Sequence, residues 1–136
     1  MRPTDAPKGL RDDLQSWASR TLNIVGESMA ETASELVENW DEDLPEDVTN
    51  EDVILWLTSA LTDAMRDFTT WRVARAKSMG MSSIRVANDL DKRTAGNLRQ
   101  LFPESIAVEE SISRGDDRHQ FESGLTLFFD DDQPAD

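Results

Sequence analysis

The sequence predicts an all-α protein, a small helical bundle built on one long amphipathic helix. Three observations carry that expectation: apolar residues recur at steps of three and four for long stretches, helix-capping residues precede those stretches, and proline and glycine fall at their ends. At 136 residues the chain suits a single hydrophobic core. We expect one helical domain over residues 1–112 and an acidic, partly apolar tail over 113–136.

The first helix is the clearest. Leu14, Ala18, Leu22, Val25, Met29, Ala33, Leu36 and Trp40 form one stripe, while Glu27, Glu31, Glu35 and Glu38 lie on other faces. The segment reads as a rod of about 40 Å with a glutamate-rich solvent side. The acidic run Asp41–Asp47 contains Pro45 and predicts a loop. Thr49 or Asn50 can cap the next helix, with Glu51 and Asp52 in its first turn. Val53, Leu57, Leu61, Ala64, Phe68 and Trp71 make its stripe. Ile54, Leu55 and Trp56 add apolar surface beside it, which predicts a helix buried on more than one side at the centre of the core. Helical spacing runs on to Gly80, although Thr69–Thr70 could divide it.

Ser82 or Ser83 can cap a short helix carrying Ile84, Val86, Ala87 and Leu90. Asp91, Lys92 and Arg93 form a turn, and Thr94 can cap another helix with Leu98, Leu101 and Phe102 before Pro103. A further short helix fits Ile106, Val108 and Ile112, followed by the polar run 113–118.

Charge is distributed unevenly. The chain has 28 acids against 14 bases, yet residues 71–102 hold seven bases and two acids, between acidic arms on either side. Local potential acts over a Debye length of about 8–10 Å, so this basic island governs which partner is attracted more than the net charge of −14 does. It serves either to neutralise the acidic arms or to meet a polyanion. The absence of cysteine excludes disulfides, thiolate metal sites and cysteine nucleophiles, and the lone His119 argues against a zinc centre. We expect no cofactor. Asp116, Asp117 and His119 are close in sequence, but a polar surface turn accounts for them better than acid–base chemistry, and the expectation is a non-enzyme. No apolar run has membrane-spanning length and the first twenty residues carry no apolar signal core, which leads us to expect a cytoplasmic protein.

The segment Trp71–Phe102 resembles the helix-turn-helix units of bacterial DNA-binding proteins. Gly80, Ser82, Val86, Ala87, Leu90 and Thr94 fall at the family's turn, cap, apolar, small, apolar and second-cap positions. Asp91 stands where the family usually has glycine, the turn is one residue longer, and Gly96 and Asn97 lower helix propensity in the third helix. The resemblance implies a homodimeric regulator of transcription that binds duplex DNA. Thr94, Asn97 and Arg99 would project from a recognition helix, with Asn97 suited to adenine and Arg93 or Arg99 to guanine or phosphate. Arg72, Arg75, Lys77, Arg85 and Lys92 would then touch the DNA backbone. The long apolar stripe could supply the homodimer seam.

Other readings rest on the acidic arms. The glutamate-rich first helix could imitate DNA phosphates or clasp a basic surface, as antitoxins and anti-activators do. In the tail, Leu125, Leu127, Phe128 and Phe129 most simply dock on the bundle as an apolar strand or turn. Leu125–Phe128 also resembles peptides that bind replication sliding clamps, although the glutamine that opens those peptides is Gly124 or Glu122 here.

Overall fold

The computed structural model of the chain describes residues 6–39, 47–91, 95–116 and 118–128, without the side chains of 95–97 and 128. Its elements are α1 (Lys8–Asn39), α2 (Asn50–Ser78), α3 (Ser83–Asp89), α4 (Ala95–Leu101), α5 (Ser105–Ser113), β1 (Arg118–Gln120) and β2 (Thr126–Phe128). The class is all-α with one small antiparallel hairpin, in which Arg118 pairs with Phe128, His119 with Leu127 and Gln120 with Thr126. No described helix is long and apolar enough to cross a membrane.

Two compact units divide the chain inside α2, one holding residues 7–62 and the other the described residues from Asp63 onward with Ala6. In the first unit, Ala33 and Val53 are buried, Val25, Met29 and Leu36 are half-buried, and the Thr58 hydroxyl lies 3.7 Å from the Met29 sulfur. The cap of α2 is reciprocal: the Asp52 carboxylate accepts from the Thr49 N–H at 2.7 Å and from its hydroxyl at 2.9 Å, while the Thr49 hydroxyl accepts from the Asp52 N–H at 3.3 Å. These bonds, the backbone one foremost, hold the Asp52 carboxyl below its ordinary pKa.

The expected stripe of α1 turns inward only along part of its length. Leu14 and Leu22 are exposed, as is Ala18, because no described element of this unit covers that half of the helix. The expectation for α2 is corrected in the same way. Leu55 and Trp56 stay exposed, so its first half is buried along one side, and the wide burial comes later, at Thr70, Trp71, Val73 and Ala74. The physical reason is that the short helices and the hairpin condense around the C-terminal third of α2.

Two apolar clusters meet there. Trp71 and Ala74 pack with Val108 of α5 and Phe121 of the hairpin, with Ile112 and Leu127 alongside. Val73 packs with Val86, Ala87, Leu98 and Phe102, flanked by Ala76, Met81 and Leu90. Thr69 and Thr70 do not divide α2, since their hydroxyls donate to the carbonyls of Met65 and Arg66 one turn back and leave the backbone ladder to continue. The helix stops at Gly80, whose φ of +94° suits a residue without Cβ. The Gly80 N–H reaches the Lys77 carbonyl and the Met81 N–H the Ala76 carbonyl, and Ala76 and Met81 both pack on the second cluster. The hairpin places His119 on β1, half-buried with its ring centroid 4.5 Å from that of Phe121 in an edge-on arrangement, where the sequence suggested a surface turn. Cross-strand pairing with Leu127 draws it out of the polar run.

Candidate nucleic-acid interface

The α3–α4 segment takes its form from a few local bonds. The Ser82 hydroxyl accepts from the Arg85 N–H at 3.1 Å and starts α3. Val86 and Ala87 turn inward from α3, and Leu98 and Phe102 from α4 and its end. Ala87, 2% exposed, contributes a side chain short enough for the helices to approach.

Between the two helices Asp91 has a φ of +58°. This is the position at which the sequence departs from the family's glycine. The left-handed conformation is nonetheless adopted, since aspartate tolerates it better than most residues with a Cβ. Asp91→Gly is therefore expected to leave stability unchanged or slightly raised, and Asp91→Val to cost ~1–2 kcal/mol, as thermal unfolding of the two variants would show. Equal stability of both variants would contradict the conformational argument.

A longer tether fixes the far end of α4. The Arg66 guanidinium on α2 donates to the Leu101 carbonyl at 3.0 Å, satisfying a C-terminal acceptor that the helix itself cannot. One residue on, the Asp67 carboxylate accepts from the Ser123 N–H at 3.3 Å and holds the hairpin loop. Both lie along a cleft of about 470 Å³ lined also by Asp63, Thr70, Glu104 and Glu122. Neither contact has a local sequence signal, as the partners are 35 and 56 residues apart.

The basic residues are dispersed over several helices. Arg72 is exposed, with its guanidinium 4.8 Å from the Trp71 ring centroid, and Arg75 is half-buried. At 100° per residue they share one face of α2, about 60° apart, whereas the half-buried Lys77 lies about 150° away. Arg85 on α3 and Arg99 on α4 are exposed. Lys92, Arg93 and Thr94, and the side chain of Asn97, lie outside the described residues. In the tail, Leu125 and Leu127 are half-buried, and Leu127 packs against the Trp71 cluster. Phe128 sits on β2 without a described side chain, and Phe129 is outside the described residues. A clamp-binding role for this segment would have to pull Leu127 off its own core.

Burial divides the side chains of this segment: Val86, Ala87 and Leu98 are buried, Arg85 and Arg99 exposed. No family model, curated protein or solved structure matches the chain.

Proposed function

We propose that α3 and α4 form a helix-turn-helix unit that binds duplex DNA, with α4 as the recognition helix and the protein acting as a homodimeric cytoplasmic regulator. The observation that carries this reading is the join between the two helices. A serine-capped α3, a left-handed Asp91 and an inward-facing Leu98 leave Arg99 on the outer side of α4. Arg85 and Arg72 are exposed on two other helices of the same unit and suit phosphate contacts.

Fluorescence anisotropy with a labelled mixed-sequence duplex tests it. Binding should be measurable at about 50 mM salt and fall by more than tenfold by about 200 mM, because cationic contacts release counterions. The Arg93→Ala/Arg99→Ala double variant should bind more weakly and flatten the salt dependence by about two contacts. A folded protein that shows no binding at low salt rules the reading out.

A second reading, an acidic interaction module for a basic protein surface, is favoured by the cleft beside α2. Asp63, Asp67, Glu104 and Glu122 line it, with Arg66 as the one base among the described lining residues, in a chain of net charge −14. Such a cleft suits a lysine or arginine side chain. Failure to bind DNA, together with salt-sensitive binding of a basic peptide that Glu104→Gln/Glu122→Gln weakens, would favour this second reading.

A further inference from the structure

Beside the stripe that turns inward, α1 carries a second apolar series. Leu10, Leu14, Trp17, Thr21 and Ile24 are separated by steps of 4, 3, 4 and 3, the 3.5-residue average of a coiled-coil seam. The inward series of Val25, Met29 and Leu36 occupies a neighbouring arc.

Among the described residues of its unit, nothing covers the second series. Every residue from 7 to 20 is exposed, with Leu10 and Leu14 at 44%, Trp17 at 60% and Ile24 at 68%. A helical stretch of this length is marginal in water without a packed face, so the conformation of α1 itself calls for something against it. Those four residues expose roughly 400 Å², about half of the ~800 Å² that each partner gives to a standard interface, and the exposed Asp13, Ala18 and Arg20 beside them add to it.

We propose that this face binds a second copy of the chain, forming an antiparallel homodimer along α1. The charges beside the seam select that occupant. Asp13 and Arg20 flank it on the same side, seven residues apart, and Arg20 is exposed, reaching only as far as the Ser16 hydroxyl at 3.4 Å. When two α1 helices run antiparallel about a twofold axis near Ser16 and Trp17, Asp13 of each copy meets Arg20 of the other. A parallel pair would set Asp13 opposite Ala18 and Arg20 opposite Val25, with no charge matched. One patch bearing both signs at this spacing is complementary to itself. The inference rests on the dimeric form of the function proposed above but not on DNA contact.

The test uses the full chain without DNA. Sedimentation equilibrium should give a dimer at micromolar concentration, and Trp17→Glu should make it monomeric. Because that variant could also melt α1, a charge exchange supplies the second arm. Asp13→Arg or Arg20→Asp alone should weaken dimerisation about tenfold, and the two together should restore it. The sequence has no cysteine, so Leu10→Cys reports direction: it should crosslink to Thr21→Cys in a mixed sample and not to itself. A monomeric wild-type chain at ~100 μM, a dimer indifferent to Trp17→Glu, a double charge variant no better than the single ones, or self-crosslinking at position 10 would each overturn the proposal. Loss of DNA binding in a protein that still dimerises this way would count against the functional reading alone.

Discussion

Replacing Trp71 with alanine is expected to cost ~3–5 kcal/mol, the largest effect of any single truncation in the second unit. The indole is 2% exposed and joins α2 to α5 and to the hairpin through Ala74, Val108 and Phe121. It also stacks obliquely with Phe68 at 6.1 Å and supports the Arg72 guanidinium. Since domains of this size are stable by only ~5–15 kcal/mol, the variant should lose much of its cooperative urea transition. The hairpin should be released first, seen as early proteolytic cleavage between residues 113 and 128. Trp71→Phe provides the comparison. The indole N–H has no acceptor among the described residues, an arrangement that costs ~1–3 kcal/mol, so removing that donor offsets part of the lost packing. A Trp71→Ala loss below ~1 kcal/mol would mean that this cluster does not hold the unit together.

Leu98→Ala should have the next largest effect, ~2–5 kcal/mol, because Leu98 is 3% exposed and fills the space between α4, Val73, Val86 and Ala87. Its neighbour provides the control. Arg99→Ala alters an exposed side chain on the same helix and should change stability by less than ~0.5 kcal/mol. Denaturation and DNA titration together then separate the two roles: Leu98→Ala should lose binding through loss of fold, and Arg99→Ala should weaken binding with the fold intact. If Leu98→Ala is as stable as the parent, the α3–α4 packing described above is wrong.

Much of the architecture was legible because its signals are local. Thr49 and Ser82 begin helices as hydroxyl caps, Gly80 ends one in a left-handed turn, and the spacing of Val86, Ala87 and Leu98 names the inward positions of α3 and α4. What escaped depends on distance along the chain. Periodicity shows that Leu14 and Leu22 lie on one side of a helix, but not that no described residue of the unit covers that side. The apolar content of Leu55 and Trp56 suggested deep burial, yet burial requires a neighbour, and the neighbours gather at Trp71. The pairing of His119 with Leu127 and the tie from Arg66 to the Leu101 carbonyl arise only once separate segments meet. For the candidate interface, residue types were readable and exposure was not: Arg75 and Lys77 belong to the same basic island as Arg72 but are half-buried where Arg72 is exposed.

The placement of both apolar clusters also sets an order of events during translation. α1 and α2 leave the ribosome before Val86, Leu98 or Val108 exists to cover Val73 and Trp71, and the Trp71 cluster waits for Phe121, fifty residues later. Two long helices must therefore stay soluble as nascent segments, helped in α1 by an excess of acidic side chains. A message cut short before that phenylalanine codon would release a product with its tryptophan still in water.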